Sequence, residues 1–536
     1  MNILNNLNMK NIQYILTIAV FALLMGCETV ELDLTTDPNN LSLDQVDANL
    51  LLNDIQTTFV GIYNGYNAPS RDIMRMENLF GTYFNSVDVG TLDGAGGEWA
   101  QSYQLFSNVE ILAELNEASG GELPFHTGIA QVIQAYCYVM LVDYVENVPF
   151  LQANDPLNFP QPMVDSGPDI YAAMLAQLED AVVNLQTETV NPPNDLYYGG
   201  DSSAWVRLAN SLRLKMFLQT RLVNGPASMA GINSIIADDN FISSPDQDFQ
   251  FQYSAAEPPV DSRHPFFVGN YLVGGAGTYM SNSYMFELLA GKSVVDPRLT
   301  HYIYRQTDTD PVGDFLPCDG STLHDFCYIG DFYWGRDHTD NEGIPNDNTL
   351  RATYGVYPAG GAFDDGLGLG AASSNNLGGA GIVPIMLSSF TNFMLAESAI
   401  TLGTSGNARD FLNAGLMDSF SKVSAFDAGN PIDGADITAY IDVVLAEYDA
   451  AADDAERLNV VLTEYYLAAF GNGVEPYNNY RRTGLPNDLQ SPILPSGTFP
   501  RSFVYPNIVV NNNFAIEQRA IIDQVFWDTN PAGFID

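Results

Sequence analysis

Residues 462–486 read LTEYYLAAFGNGVEPYNNYRRTGLP, and this stretch joins two kinds of sequence. Its first part completes a segment from Asp454 to Phe470 whose apolar residues recur at helical spacing, which predicts a helix. The chain that follows, from Gly471 to Asp536, has no such periodicity and is rich in Pro and Asn. We therefore expect a helical scaffold that ends in an irregular C-terminal segment.

Arg481 and Arg482 stand side by side at the start of that irregular segment. Adjacent guanidinium groups can bind an anionic ligand. They can equally pair with buried carboxylates and backbone carbonyls and so lock the C-terminal loops, a role that the planar guanidinium suits. We expect the second role, with Glu397, on an apolar helix, as a partner of one of these arginines rather than as a general base.

Helical periodicity also dominates the sequence upstream. Ile170, Met174, Leu178, Ala181 and Leu185 fall at i, i+4, i+8, i+11 and i+15, which is one apolar helix face. The other helical patterns are Leu43 to Tyr63, Trp99 to Ala118, Ile129 to Val142, Val383 to Leu402, Ala408 to Phe420 and Ile437 to Ala450. They form two blocks, 43–237 and 382–470, and predict a mainly α, solenoid-like scaffold of helix pairs, although no clean 34-residue repeat is present.

Between the blocks lies a loop-rich insertion, residues 238–381, and its second half has 14 glycines in the 69 residues from Gly313 to Gly381. Long irregular regions on a rigid scaffold are usually where binding occurs. Within it, Tyr333, Trp334, Arg336 and Asp337 combine aromatic rings with charged groups, as a sugar site requires: rings stack on C–H faces while polar groups bond hydroxyls. The alternative is that Trp334 plugs the loop onto the helices, and Trp99, with Tyr103 one turn later, is expected in the core.

An oxygen-rich string follows these candidates. It comprises Asp337, Asp340, Asn341, Glu342 and Asp347. Calcium takes six to eight oxygen ligands, but the spacing here is not that of an EF-hand. We expect a solvated acidic loop and no metal site.

Four cysteines are present in the chain. Cys318 and Cys327 lie close together in the insertion, and in an oxidising compartment they are expected to form a disulfide. Cys137 lies in an apolar helical run and is expected to be a buried small hydrophobe.

The N-terminus has the pattern of a targeting segment. Lys10 is the single charge in residues 1–26, and it precedes an 11-residue apolar run from Ile15 to Met25 that is too short to span a bilayer. Leu24 to Cys27 resembles a lipobox, which implies cleavage before Cys27 and lipid on that cysteine, so that the chain is anchored to a membrane and does not cross it. Residues 27–42 form an acidic tether, and its first acids, Glu28, Glu31 and Asp33, resemble the surface-export signal of Bacteroidetes-type lipoproteins.

Charge and motif content exclude several functions. The chain has 20 basic and 65 acidic residues, a net charge of −45, so it repels nucleic acid. It has no nucleophile elbow, zincin helix or phosphate loop, and its five histidines have no metal-ligand spacing. We expect a protein that is not an enzyme and needs no cofactor, with a lipid-anchored surface hydrolase acting on glycans or peptides as the alternative.

Several separate motifs together resemble the SusD/RagB family of outer-membrane nutrient-binding lipoproteins. The opening stretch belongs to that pattern, as do residues 143–150, DYVENVPF; residues 197–201, YYGGD; residues 296–299, DPRL; residues 499–506, FPRSFVYP; and residues 525–528, VFWD. The first helices diverge from the starch-binding archetype, which leaves the ligand open.

The resemblance implies a single domain over residues 43–536, with tetratricopeptide-like helix pairs and an irregular ligand-binding face. It implies a surface lipoprotein that binds a nutrient and delivers it to a TonB-dependent outer-membrane transporter. We expect the nutrient to be a glycan, and an oligopeptide is the other possibility.

Overall fold

The computed structural model describes residues 43–88, 97–272, 274–316, 318–341, 346–370 and 375–535. The chain is mainly helical, with 51% of its residues in helices. The first group of helices is α1 (Ala48–Ile73), α2 (Tyr83–Asp88), α3 (Glu98–Ala118), α4 (Pro124–Val145), α5 (Gly167–Gln186), α6 (Ser202–Gln219) and α7 (Gly225–Asp238). The middle of the chain holds β1 (Phe249–Gln252), α8 (Pro265–Tyr271), α9 (Asn282–Ala290), α10 (Leu299–Tyr302), β2 (Ile303–Tyr304), β3 (Thr353–Tyr354) and β4 (Ile382–Met386). The last group is α11 (Ser388–Leu402), α12 (Ala408–Phe426), α13 (Gly434–Ala450), α14 (Asp454–Ala468), α15 (Val474–Thr483) and α16 (Asn507–Asn512).

Successive helices of the first group pack against one another, α4 on α5 and α5 on α6. The five residues that predict the apolar face of α5 are all buried. Ser166 caps this helix, because its side chain accepts a hydrogen bond from the backbone N–H of Asp169. The predicted mainly α fold of stacked helix pairs is confirmed.

Helix α4 is apolar on nearly every side. Among the described residues it is the one helix long and apolar enough to cross a membrane, yet 89% of its most apolar 18-residue window is buried inside the protein. The first-group helices α1, α3, α5 and α6 pack around it. Its hydrophobicity is therefore explained by its place at the centre of the core.

The predicted helix from Val383 to Leu402 is wrong at its beginning. Residues Ile382–Met386 form β4, which pairs antiparallel with β1, and the helix begins only at Ser388. Pro384 lacks the N–H that a helix interior needs, and every residue of the strand is buried. A short apolar run of this kind cannot be assigned by periodicity, because a buried strand and a buried helix look alike.

The expectation of an irregular segment after Gly471 is also wrong at its start, where residues 474–483 form α15. The carboxamide oxygen of Asn472 accepts hydrogen bonds from the backbone N–H groups of Val474 and Glu475, at 2.9 and 3.2 Å. Gly484, with φ of 68°, closes the helix in the left-handed conformation that glycine adopts without strain. The helix is buried although most of its residues are polar, so its few apolar residues do not predict a core helix.

Arg482 and Glu397 form the buried pair that the sequence predicts. Two guanidinium nitrogens of Arg482 lie 2.8 and 2.7 Å from the two carboxylate oxygens of Glu397, and Arg221 approaches the same carboxylate at 3.0 Å. Burial by itself raises the pKa of Glu397, but Arg482 and Arg221 outweigh it and hold that pKa below its ordinary value. Arg481 donates to the backbone carbonyl of Arg501 at 2.8 Å, so both arginines secure the C-terminal segment.

Asp143, near the end of α4, ties distant parts of the chain together. Its carboxylate accepts hydrogen bonds from the Tyr171 hydroxyl, from the Asn478 amide at 3.0 Å and from the Trp527 indole at 2.9 Å. These partners lie on α5, on α15 and near the C-terminus. The acid thus joins α4 to α5, to α15 and to the C-terminal end of the chain. The loop that follows α4 forms one wall of the site described next.

Candidate functional site

The structure buries the two aromatic residues that the sequence proposed as ligand contacts. Tyr333 is 2% exposed and Trp334 is 5% exposed. The Arg305 guanidinium lies 4.6 Å from the centre of the Tyr333 ring, and Phe315 packs edge-on against Trp334 at 5.7 Å. The backbone carbonyl of Trp334 also accepts a hydrogen bond from Ala352. Both rings therefore hold the insertion together.

Arg336 and Asp337 are buried as well, and both side chains interact with other groups of the protein. Arg336 pairs with Asp340 at 2.9 Å, and its backbone N–H donates to the Met280 carbonyl. Asp337 accepts hydrogen bonds from the Asn282 amide and the Phe326 backbone. Gly335, which directly precedes Arg336, lies so close to the Met280 carbonyl that a Cβ atom there would come within 2.2 Å of it.

The proposed ligand role of Tyr333, Trp334, Arg336 and Asp337 therefore needs correction. A sugar stacks on a ring face that solvent reaches, and neither ring offers one. The glycines of this region allow close backbone packing, not an exposed loop. The alternative, that Trp334 plugs the loop onto the helices, fits the contacts.

Cys318 and Cys327 are joined by a disulfide, with their Cα atoms 5.2 Å apart. Cys137 is a free, buried thiol, as expected. Cys27, the expected lipid attachment point, lies outside the described residues.

The acidic string is held mostly by protein cations. Asp340 pairs with Arg336, and Asp347 pairs with Arg351 at 2.8 Å and accepts from the Tyr279 hydroxyl. Glu342 lies outside the described residues. Within the described ranges, no group of three or more His, Cys, Asp or Glu side chains is arranged to hold a metal ion.

An open cleft of about 390 Å³ lies elsewhere, at one end of α3. We call it the Trp99 cleft. It is lined by Trp99 and Tyr103; by the loop residues Pro149, Gln152, Ala153, Asn154, Asp155, Pro156, Phe159, Pro160 and Pro162; and by Val509, Asn512, Asn513 and Ile516. Its size falls in the range of small-molecule binding sites, about 300–1,000 Å³.

The first wall of the cleft is the beginning of α3. Trp99 and Tyr103 are one helical turn apart, so they share a face, and their rings are 5.2 Å apart. Tyr505 packs edge-on against Trp99 from behind, at 5.9 Å. Trp99 is only 8% exposed, so it belongs to the core, as the sequence predicts, and it also contributes to the lining of the cleft.

The second wall is the loop after α4, residues 149–162. Its entry is fixed by Asp165, whose carboxylate accepts hydrogen bonds from the backbone N–H groups of Phe150 and Leu151. The Tyr103 hydroxyl donates to the Pro149 carbonyl at 2.9 Å, which joins the loop to the first wall. Asn154 adopts a left-handed φ of 59°, and its amide donates to Glu110. Burial raises the pKa of Tyr103, so its hydroxyl stays a neutral donor.

The third wall comes from the C-terminal segment, residues 509–516. The Asn513 amide donates to the Pro162 carbonyl at 2.8 Å, and the Tyr505 hydroxyl donates to the Asn147 carbonyl at 2.6 Å. These two bonds fasten the segment to the second wall. The cleft is therefore built from three remote parts of the sequence.

The cleft is lined by aromatic rings and by carboxamide side chains. Phe159 offers a ring that is 39% exposed, and the prolines add flat apolar surface. Gln152, Asn154, Asn512 and Asn513 provide carboxamides, which both donate and accept hydrogen bonds. This combination matches a sugar, whose apolar C–H faces alternate with hydroxyls.

Two other cavities lack that combination. One of about 430 Å³, lined by Tyr171, Phe217 and Phe526 among others, has a single carboxamide, Asn224. One of about 510 Å³ has Phe363 and His301 beside acidic residues and has no carboxamide. Of these three cavities, the Trp99 cleft is the best candidate.

Sequence reasoning did not find this cleft. The one feature of the sequence that could have indicated it is the segment from Leu151 to Pro162, whose Pro, Asn and aromatic residues are typical of a loop that can bind a ligand. Nothing in it shows that residues 509–516 lie opposite.

The fold is a scaffold of stacked helix pairs, and the Trp99 cleft is its candidate surface site. A family model described as SusD-like, "starch-binding associating with outer membrane", matches residues 38–326 and 346–506. The chain belongs to this SusD/RagB family. No curated protein matches it in a sequence search.

Solved structures agree with the family assignment. A SusD homologue from Bacteroides fragilis has a TM-score of 0.68 at 18% identity, over 91% of this chain and 100% of that one. A SusD/RagB family protein from Bacteroides thetaiotaomicron has a TM-score of 0.65 at 19% identity, over 91% and 100%. A chitin-binding SusD homologue from Flavobacterium johnsoniae has a TM-score of 0.63 at 18% identity, over 90% and 99%. At these identities the likeness shows the fold alone.

Proposed function

We propose that this protein binds a glycan in the Trp99 cleft at the cell surface and delivers it to a TonB-dependent outer-membrane transporter. The observation that carries the proposal is the cleft itself, where the exposed Phe159 lines the same cavity as Trp99 and four carboxamides. The family description supports a starch-like nutrient, and one structural relative is named as chitin-binding. Delivery to a transporter rests on the family and is tested by co-purification of a TonB-dependent barrel with the native protein.

A lipid on Cys27 would hold the protein at the membrane. The proposal rests on the apolar run and the small residue before this cysteine. Replacing Cys27 with Ser should release the protein from membranes or leave its signal uncleaved. Normal processing together with membrane retention of the Cys27→Ser variant would contradict the anchor.

The binding role is tested by calorimetric titration with a panel of oligosaccharides. Phe159→Ala removes an exposed ring from the cleft and should weaken binding by about 1–2 kcal/mol, as loss of a well-placed aromatic contact does. Phe84→Ala is the matched control, because Phe84 is 47% exposed on α2 and does not line the cleft. Equal affinity of the two variants would remove Phe159 from the site.

The same titration separates the other candidates. An oligopeptide ligand would bind where no sugar does. A surface hydrolase would convert the glycan or peptide to products, which chromatography of the incubated mixture detects. We expect binding without turnover.

A further inference from the structure

The Trp99 cleft has an unusual charge pattern for a polar site. Among the described residues that line it there is no Lys, Arg or His, and Asp155 is its one ionisable carboxylate. Asp155 already accepts two hydrogen bonds from Asn158, through the backbone N–H and the side-chain amide. The remaining hydrogen-bonding side chains of the lining are the four carboxamides, the Tyr103 hydroxyl and the Trp99 indole N–H, all of them uncharged.

Some hydrogen-bonding atoms of the carboxamides bond to other protein groups, and others do not. The Asn154 amide donates to Glu110, and the Asn512 amide donates to the Ile508 carbonyl. Gln152 accepts from the Met163 backbone. The Asn154 and Asn512 carbonyl oxygens and the Gln152 amide have no hydrogen bond to a described residue. They leave both donors and acceptors at the rim, which is what hydroxyl or acetamido groups need.

The charges around the cleft are unfavourable for an acidic sugar. Carboxylates and sulfates are bound by guanidinium or ammonium groups, which supply charge-assisted hydrogen bonds. The described part of the lining supplies no such group, and the Asn154 amide donates to the carboxylate of Glu110. The net charge of −45 adds a repulsive field for any anion that approaches.

Exposed apolar residues flank the lining of the cleft in the sequence. Leu151, Leu157, Met163, Ile508 and Phe514 are exposed, and each is adjacent in sequence to a residue that lines the cleft. We call these five residues the collar. Leu157 is 95% exposed and Phe514 is 83% exposed. Exposed large apolar side chains beside a pocket are typical of a surface that a ligand covers, so a ligand longer than one sugar ring has such side chains available to contact.

We propose that the Trp99 cleft and its collar select an uncharged oligosaccharide of several residues and reject uronic or sulfated glycans. This inference rests on the proposed function, because it concerns the same site. Stacking and neutral hydrogen bonds supply the attraction, and the missing cations supply the discrimination. Rejection by an uncompensated charge is a common source of specificity.

The test titrates the full-length mature protein with neutral and acidic sugars of matched length. The neutral probes are three separate hexasaccharides, built from glucose, from xylose and from N-acetylglucosamine. The acidic probes are a galacturonate hexasaccharide and the same hexasaccharide carrying sulfate groups. We expect at least one neutral hexasaccharide to bind at least tenfold more tightly than either acidic one. Its disaccharide should bind at least tenfold more weakly than the hexasaccharide.

Two variants show whether the cleft causes the selection. Asn512→Lys places a cation at the rim, and it should narrow the ratio of neutral to acidic affinity several-fold in low salt. Phe514→Ala should weaken the hexasaccharide more than the disaccharide. A galacturonate hexasaccharide that binds the wild type as tightly as a neutral one, and loses affinity in Phe159→Ala, would overturn the inference and leave the proposed function standing. No binding of any sugar would overturn the proposed function itself.

Discussion

The insertion around Trp334 and the cleft around Trp99 contain similar residues and present them in opposite ways. In the insertion, the rings of Tyr333 and Trp334 are covered, and their charged neighbours are paired. In the cleft, Phe159 and the collar are open to solvent. Part of the difference lies in the backbone, because Gly335 lets the insertion pack directly against the Met280 carbonyl.

This comparison shows that aromatic content in a loop does not by itself locate a ligand site. What distinguishes the two regions is whether a neighbouring segment closes over the rings. Residues 280–282 and 352 close over the insertion, whereas residues 509–516 stand opposite the loop of the cleft and leave a gap.

The largest expected effect is on the stability of the insertion. Trp334→Ala removes a buried ring and should lower the free energy of unfolding by about 3–5 kcal/mol. Binding measured well below the melting temperature should be unchanged. Phe514→Ala, which removes an exposed ring, should change stability by no more than about 0.5 kcal/mol. Thermal and denaturant unfolding measure both, and a stable Trp334→Ala protein with weakened binding would reverse the assignment of the two regions.

The disulfide of the insertion should have the next largest effect. Replacing Cys318 and Cys327 with Ser reopens a short loop and should cost about 2–3 kcal/mol of stability, because the bond restricts the unfolded chain. Reductant should destabilise the wild type by a similar amount and leave the double variant unaffected. Sugar affinity should not change in either case, and an affinity that depends on reductant would link the insertion to the site.

A smaller, pH-dependent effect is expected at the edge of the cleft. Burial raises the pKa of Glu98, the neighbour of Trp99, to about 7, and one of its carboxylate oxygens has no hydrogen-bond partner. An acid with a raised folded-state pKa binds its proton more tightly in the folded state, so stability is lost as pH rises from about 4.5 through 7. Glu98→Gln should therefore stabilise the protein at pH 8 by about 1–2 kcal/mol, a figure reduced for partial exposure, and by less at pH 5.

The matched control for that change is Glu114→Gln, on the exposed side of the same helix. Its effect on the unfolding free energy should be small at both pH values. Equal stabilisation by the two variants would show that general charge reduction, in a chain of net charge −45, is the cause.

The sequence predicts the scaffold well because helix faces are local patterns. The apolar spacing in α5 and the paired role of Arg482 and Glu397 both follow from residue type and position. Strand β4 and helix α15 could not be assigned in this way, since one is a short apolar run and the other a polar helix buried by tertiary contacts. The cleft could not be predicted for a different reason. Its walls are brought together by long-range contacts, such as the hydrogen bond between Asn513 and Pro162, which are 351 positions apart.

The most direct test of where the ligand binds is to measure the change in tryptophan fluorescence that accompanies binding. Trp99 borders the cleft, and Trp334 lies buried in the insertion. The tightest-binding neutral hexasaccharide is titrated into Trp99→Phe and Trp334→Phe, each of which keeps an aromatic ring in place. A fluorescence change that persists in Trp334→Phe and disappears in Trp99→Phe is the predicted result. A change that disappears in Trp334→Phe and persists in Trp99→Phe would contradict the account.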